Sequence, residues 1–349
     1  MINGLHRSVV TPVARALVGA ALVPTLLLTG CSTDQAGKQV GSGADVGARP
    51  SPPEADPDAT SEPIEPTATA RVVPPPEFDP DRAFEVIEYL ADEIGPREAT
   101  SGAFREAADW VELQFAELGY DVVQVDVQVP RGDPSYRPEW GTVVEPGTSA
   151  NVIADPEGFD VAEPHVVIGA HLDTVAVSPG AEDNASGVGV LLDLARLATG
   201  VPSGVPVRFI AFGAEEPRGS GDDMHHFGSQ QYVRELSGTE RDAIIAMVSL
   251  DRVGVPAAAV PICTGGSGTT EVMEALAATA GDAGIDAETC ENRASDHWSF
   301  EKAEIPAARL GSVPYGGYHS PGDQPDVVDP DQLDRVGTIV WRWLQGLDG

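Results

Sequence analysis

The chain is poor in basic residues and in cysteine. Its 349 residues include 21 Lys and Arg against 55 Asp and Glu, which gives a formal net charge of −34. A nucleic-acid-binding protein needs a basic surface that displaces counterions from phosphate, so this charge balance argues against a nucleic-acid partner. Three cysteines are too few for a disulfide-dense small scaffold or a four-cysteine zinc ribbon. The length suits one large domain with appendages.

The first 31 residues resemble a bacterial lipoprotein signal peptide. An apolar stretch over residues 16–28 is interrupted by Gly19 and Pro24 and is too short to span a bilayer as a mature helix. It ends in the letters LTGC, in which small residues precede Cys31. We expect Cys31 to be lipidated and to anchor an exported protein on the outer face of the cell membrane. A plain secretory signal with a chance cysteine is the alternative.

Residues 32–77 have the composition of a disordered tether. They contain nine prolines among Gly, Ala, Thr, Asp and Glu, and no aromatic residue. Such a segment cannot bury enough apolar surface to offset the entropy of ordering, so we expect it to stay extended. We place the folded domain at residues 78–349.

Helical and strand patterns alternate along that domain. Apolar spacing predicts helices over residues 84–94, 102–118, 187–198, 271–280 and 332–347. Strands are predicted over residues 120–129, 151–154, 166–170, 207–212 and 243–250. Apolar strands separated by helices of this length indicate an α/β domain whose sheet has parallel members and is covered on both faces.

Side chains with metal-binding and acid–base chemistry follow the apolar strands. The candidates are His171, Asp173, Asp183, Glu215, Glu216, Asp251, Tyr318 and His319. In open α/β sheets, sites form beyond the carboxyl ends of strands, so we expect these residues to meet at one edge. Two histidines with several carboxylates form a nitrogen and oxygen ligand set that suits zinc, and more than one ion. Taken singly, each residue has a plain alternative as a helix cap, a turn residue or a solvated side chain.

Five stretches together resemble the bimetallic zinc aminopeptidases of the secreted bacterial type, within the zinc exopeptidase superfamily. They are GAHLDTVAVSPGAEDNASGVG, FIAFGAEE, MVSLDRVG, ASDHWSFEKAEIPAARL and GYHSPGD, in the family's order. The resemblance covers about residues 78–347. It implies a single three-layer α/β/α domain with a mixed, largely parallel central sheet, and two Zn²⁺ ions per chain.

The resemblance also implies how the ligands divide between the ions. His171 and Asp251 would hold one zinc ion, while Glu216 and His319 would hold the other. Asp183 would bridge both ions, and its bond to Asn184 is a candidate cis peptide.

Three further residues receive catalytic roles by the same resemblance. Asp173 would accept the second ring N–H of His171 and fix its tautomer. Glu215 would be the general base for a water shared by the two ions. Tyr318 would donate a hydrogen bond to the developing oxyanion.

Some positions depart from the family pattern. The segment after Glu216, residues 217–227, is longer than usual and contains His225 and His226, which we expect to be solvated; a third metal site is the alternative. Arg252 stands where an apolar residue is more usual, and it could pair with an acid near the metal or narrow the pocket. We expect His297 to support its loop and not to bind metal. Residues 131–148, with Tyr136 and Trp140, form a predicted insertion that could wall the substrate cleft.

Cys263 and Cys290 remain once Cys31 is lipidated. An even pair in an exported domain suggests a disulfide, and two free thiols are the alternative.

The function that these features imply is an extracytoplasmic dizinc aminopeptidase, acting as a monomer on peptides with a free N-terminus. The alternatives are an exopeptidase of different polarity, a glutaminyl-cyclase-like acyltransferase of the same superfamily, or an inactive binding lipoprotein. The cyclase relatives use a single zinc ion, and an inactive protein would ordinarily have lost Glu215 or a ligand. The complete set of candidate residues argues against both.

Overall fold

The computed structural model describes residues 76–133, 145–201 and 203–347. The expected signal peptide, nearly all of the expected tether, and Tyr136 and Trp140 of the predicted insertion lie outside the described residues. Within the described ranges, every helix is too short or too polar to cross a membrane.

Eight strands of the described residues form one sheet. They are β1 (Asp121–Val129), β2 (Gly147–Asp155), β3 (His165–His171), β4 (Val207–Phe212), β5 (Ile244–Leu250), β6 (Val260–Thr264), β7 (Ala287–Glu291) and β8 (Ala307–Leu310). Their spatial order is β1-β2-β4-β3-β5-β8-β6-β7. The four central strands, β4, β3, β5 and β8, are parallel. The β1–β2, β2–β4 and β6–β8 pairs are antiparallel. The predicted mixed, largely parallel sheet is confirmed.

In the part of the chain that the structure describes, eight α-helices accompany the sheet. They are α1 (Pro80–Glu88), α2 (Gly102–Glu117), α3 (Ser186–Gly200), α4 (Phe227–Glu235), α5 (Gly238–Ala243), α6 (Glu271–Asp282), α7 (His297–Glu301) and α8 (Pro330–Gln345). The predicted helix over residues 84–94 is divided, because α1 passes into a π-helical segment, Tyr89–Ile94, that ends at Gly95 with φ 76°.

The core lies on both faces of the sheet, which makes three layers. Along β3, Val166 and Ile168 pack into the larger cluster with α1, α2, α3 and α8. Val167, between them, packs on the other face with Tyr232 of α4 and Phe300 of α7. Successive strand residues point to opposite faces, so β3 is apolar throughout because it is buried on both sides.

A disulfide joins two neighbouring strands near one edge of the sheet. Cys263 of β6 and Cys290 of β7 are register partners and are bonded to each other. The predicted pairing is confirmed.

Candidate metal centre

Three adjacent parallel strands deliver the candidate residues to one edge of the sheet. β3 ends at His171, Glu215 and Glu216 follow β4 after a short turn, and Asp251 directly follows β5. Because β4, β3 and β5 are parallel neighbours, their carboxyl ends lie side by side. The side chains predicted from the strand ends therefore meet, as the sequence indicated.

The first of two ligand clusters surrounds His171. Its Nε2 lies 3.1 Å from Asp183 Oδ1 and 3.8 Å from Asp251 Oδ1. One ligand atom each from His171, Glu215 and Asp251 falls within 4.8 Å of the others. All of these residues are buried.

The second cluster surrounds His319. Its Nε2 lies 3.1 Å from Asp183 Oδ2 and 3.0 Å from Glu216 Oε2. Ligand atoms of Asp183, Glu216 and His319 also fall within 4.8 Å of one another. Asp183 thus presents one carboxylate oxygen to each histidine, which is the arrangement expected of a bridging ligand.

The donor set fits two zinc ions. Two imidazole nitrogens and several carboxylate oxygens converge in a buried space, and Glu216 Oε1 is buried there without a hydrogen-bond partner in the described part of the chain. A buried acceptor with no donor is costly, and a cation would satisfy it. Carboxylates held this close together are stabilised either by protonation within the cluster or by a cation between them.

The same crowding shifts the pKa values of the metal-free side chains. Burial opposes protonation of both histidines, yet the surrounding carboxylates raise the pKa of His171 well above its usual value and that of His319 to about 10. Burial raises the pKa of Glu215 to about 8 and of Glu216 to about 7, with neighbouring acids adding to the effect. A bound zinc ion would have to displace these protons, so metal affinity should rise with pH.

Asp173 holds the two glutamates by their backbone. Its carboxylate accepts the N–H of Glu215 at 2.9 Å and the N–H of Glu216 at 3.2 Å. The ring Nδ1–H of His171 donates instead to the backbone carbonyl of Asp173 at 3.1 Å, while the carboxylate lies 3.8 Å away. This differs from the predicted carboxylate contact, because Asp173 turns its side chain toward the loop after β4. Because the Asp173 carbonyl binds Nδ1–H, Nε2 of His171 remains directed at the cluster of predicted metal ligands.

The segment carrying Asp183 is fixed from two sides. The Asp183–Asn184 peptide is cis, as predicted. The Asn184 amide donates to the carbonyl of Leu250 at 2.8 Å. On the other side, the carboxylate of Asp323 accepts the N–H of Glu182 at 2.8 Å and that of Asp183 at 3.2 Å. Sequence reasoning gave Asp323 no role, although it ends the quoted GYHSPGD stretch.

Two fully buried arginines were also missed. Arg309 of β8 places Nη2 3.0 Å from Asp251 Oδ1 and thereby neutralises a predicted ligand. Arg97 donates to the backbone carbonyls of Leu172, Pro179 and Gly180 at 2.5–2.9 Å, in the loop between the first histidine and the bridging aspartate. Neither contact could be predicted from a local sequence pattern, because each joins residues that are far apart in the sequence.

The prediction that both histidines of the 217–227 segment are solvated is wrong for His226. This residue is buried, has φ 58°, and places Nε2 3.0 Å from Glu215 Oε1. His225 Nδ1 lies 2.9 Å from the same Nε2. The longer segment therefore brings an imidazole to the predicted general base.

Two predicted residues remain, Tyr318 and His297. Tyr318 is 40% exposed, and its ring stacks on His319 with 3.8 Å between ring centroids. His297 is buried and its Nε2–H donates to the carbonyl of Asn292 at 2.7 Å, so it supports a loop, as predicted.

Comparison with known proteins agrees with this geometry. The sequence model of peptidase family M28 matches residues 151–344, more than half of the chain. The chain belongs to peptidase family M28. Aminopeptidase YwaD of Bacillus subtilis is 32% identical over 206 residues, which are 55% of this chain and 43% of that protein. The chain spans less than half the length of the curated relatives it matches.

Solved structures share the M28 fold found here. The zinc aminopeptidase BSAP from Bacillus subtilis has a TM-score of 0.67 at 21% identity, covering 76% of this chain and 94% of that chain. A glutaminyl cyclase of Bacteroides thetaiotaomicron has a TM-score of 0.66 at 21% identity, covering 78% and 99%. At these identities the likeness establishes the fold alone.

Proposed function

We propose that this M28 protein is a dizinc aminopeptidase that removes N-terminal residues from peptides. The observation that carries the proposal is the position of Asp183. One of its carboxylate oxygens faces the cluster around His171, and the other faces the cluster around His319. His171 and Asp251 would hold one ion, Glu216 and His319 the other, and Asp183 both. The ions would supply Lewis acidity at the scissile carbonyl and lower the pKa of a water molecule.

Glu215 is the proton-transfer group in this proposal. Its Oε1 lies 3.0 Å from His226 Nε2, which leaves Oε2 to take a proton from the attacking water and return it to the leaving amine. Asp173 fixes the backbone of Glu215 and Glu216 by accepting hydrogen bonds from their N–H groups. In this arrangement Glu216 would bind the ion while Glu215 transfers the proton. Tyr318 stands beside His319 and would donate its hydroxyl to the oxyanion. The carboxylates of the site also suit a substrate's free α-ammonium group.

The experiment combines zinc content with peptide hydrolysis. The protein is assayed on aminoacyl chromogenic substrates and on their N-acetylated counterparts. We expect close to two zinc ions per chain, chelator-sensitive release from free N-termini only, and a kcat for Glu215→Gln lower by about 10²–10⁴ with zinc retained. Glu106→Gln, an exposed position on α2, is the matched control and should behave as the wild type.

Two results would contradict the proposal. Release from blocked substrates would point to another peptidase specificity. Ammonia release from N-terminal glutamine peptides, as the α-nitrogen displaces the side-chain amide and the peptide bond stays intact, would instead indicate a glutaminyl-cyclase-like reaction.

We further propose that the enzyme acts as a monomer outside the cell, anchored through lipidated Cys31. The LTGC sequence and the tether composition of residues 32–77 support this location. Metabolic labelling with a palmitate analogue should label the wild type, and Cys31→Ser should abolish the label and release the protein from membranes. Label retained in Cys31→Ser would contradict the anchor.

A further inference from the structure

Arg252 follows the predicted ligand Asp251 and lies at the metal centre. Its backbone, with φ 57°, donates to Asn184 Oδ1 at 3.1 Å. Its Nη2 donates to Ser312 Oγ at 2.6 Å, and its Cζ lies 4.6 Å from the centre of the Tyr318 ring. The side chain is only 13% exposed. The guanidinium is therefore ordered by several contacts and largely withdrawn from solvent.

Within the described ranges, no carboxylate lies at hydrogen-bond distance from this guanidinium. Asp183 and Asp251 are the acids whose charges act on it. Asp251 Oδ1 lies 3.8 Å from its Nε, and that same oxygen lies 3.0 Å from Arg309. By contrast, the partly buried Arg208 is held by both oxygens of Asp155 at 2.6 and 2.7 Å. A guanidinium has five N–H donors, and among its contacts in the described ranges Arg252 donates a side-chain hydrogen bond only to a neutral hydroxyl. Unused, partly desolvated donors of this kind favour a bound anion.

The position of Arg252 indicates where such an anion would come from. On one side the guanidinium approaches Asp251 of the first cluster. On the other side it packs on Tyr318, whose ring stacks on His319 of the second cluster. A substrate whose scissile bond lies between the clusters would place its neighbouring groups against Arg252.

We propose that Arg252 receives a carboxylate of the substrate, and that the enzyme therefore prefers peptides beginning with Glu or Asp. This inference rests on the proposed aminopeptidase function. The planar fork of Arg252 can bind a carboxylate through two hydrogen bonds, while its charge repels an N-terminal lysine or arginine side chain. The carboxylate comes from the side chain of the first residue; the C-terminal carboxylate of a short peptide is the other source with the same chemistry.

The test compares isosteric substrates on the zinc-loaded, full-length protein. Glutamyl and glutaminyl chromogenic substrates differ only in the charge of the side chain. We expect kcat/KM to favour the glutamyl substrate by about 10–100-fold, within the range of one buried charged hydrogen-bond pair. Arg252→Met should bring this ratio close to one, and Arg252→Lys should retain part of it. Arg105→Met, an exposed position on α2 with the same change in charge, should keep the wild-type ratio.

A second comparison separates the two carboxylate sources. Alanyl dipeptides with free and amidated C-termini should be cleaved equally if Arg252 reads the first side chain. A strong preference for the free C-terminus, lost in Arg252→Met, would overturn the side-chain assignment in favour of the C-terminal one.

Binding provides a readout that does not depend on turnover. Calorimetry should show L-glutamate binding the zinc-loaded protein at least 10-fold more tightly than L-glutamine, with the difference lost in Arg252→Met. One result would overturn the role of Arg252 and leave the proposed aminopeptidase function standing. In that result leucyl or alanyl substrates are hydrolysed, and the glutamyl and glutaminyl substrates are hydrolysed at equal rates. If no free N-terminus is cleaved, the proposed function fails, and the calorimetric pair still decides whether Arg252 binds a carboxylate.

Discussion

Replacing Arg97 should destabilise the fold and weaken zinc binding together. The side chain is fully buried and donates to the carbonyls of Leu172 at 2.7 Å, Pro179 at 2.5 Å and Gly180 at 2.9 Å. The Gly180 carbonyl also accepts the N–H of Ala185, so it keeps one partner when the arginine is removed. Arg97→Met therefore removes the close donor from two carbonyls, those of Leu172 and Pro179, besides losing the longer contacts to Leu90 at 3.3 Å and Gly95 at 3.5 Å.

The magnitude follows from those two carbonyls. Each buried acceptor left unsatisfied costs about 1–3 kcal/mol, which gives about 2–6 kcal/mol for the pair. Removing a buried guanidinium also removes its desolvation cost. We therefore expect the free energy of unfolding to fall by about 3 kcal/mol, near the middle or lower part of that range. Arg97→Lys should lose less, because an ammonium retains three donors but not the planar fork.

The assay is chemical unfolding with excess chelator, followed by zinc titration of the folded variants. Arg97 fixes the loop that leads from His171 to Asp183, so we expect Arg97→Met to bind zinc about 10–100-fold more weakly. Arg208→Met is the matched control. It breaks the pair with Asp155 on another part of the sheet, and should cost stability but not zinc affinity.

Two results would refute this reasoning about Arg97. One is a wild-type unfolding midpoint for Arg97→Met, which would mean that the loop carbonyls find other donors. The other is an equal loss of zinc in both arginine variants, which would show that affinity follows global stability and not the loop.

Three further outcomes are expected. His226→Ala should lower kcat about 10-fold or more with zinc retained, because the imidazole lies 3.0 Å from Glu215 Oε1; an unchanged kcat would show that this contact does not orient the base. Burial lowers the pKa of His297 to about 3 against about 6.5 when unfolded, so the unfolded chain binds the extra proton and stability falls as pH drops below 6.5. The cost is about 2 kcal/mol at pH 5, and His297→Gln should flatten the stability–pH curve measured by denaturant between pH 7.5 and 5; an unaltered slope would contradict it. The bond between Cys263 and Cys290 joins residues separated by 27 positions in the sequence. The Cys263→Ser/Cys290→Ser double variant should therefore have a free energy of unfolding about 3.5 kcal/mol lower than that of the wild type. A denaturation curve that overlays that of the oxidised wild type would contradict this prediction.

The central part of the fold was predictable because burial on both faces leaves a continuous apolar run. The predicted strands over residues 166–170, 207–212 and 243–250 became β3, β4 and β5 within about one residue. Strands β6, β7 and β8 and helices α4, α5 and α7 were not predicted. β7 lies at the sheet edge and has only half-buried and exposed residues, and α5 and α7 are too short for a helical period to stand out.

The site was predictable to the extent that its residues follow strands. His171, Glu216 and Asp251 lie at adjacent strand ends, and Asp183 lies three residues before α3, so their positions followed from topology. Their supports did not follow, because those contacts cross long sequence separations. The Asp323 carboxylate accepts hydrogen bonds from backbone N–H groups about 140 residues earlier in the chain. The Arg97 guanidinium donates to backbone carbonyls about 75–83 residues later in the chain.

The shared position of Asp183 has a consequence for how zinc is taken up. In the proposed dizinc site the Asp183 carboxylate would belong to both ligand sets, so an ion on the side of His171 would change the orientation and charge that an ion on the side of His319 meets. Thermodynamic linkage makes this influence reciprocal and equal in both directions. Zinc titration should therefore depart from two independent isotherms. Substituting a ligand on one side only, such as Asp251, should alter zinc affinity on the other side as well.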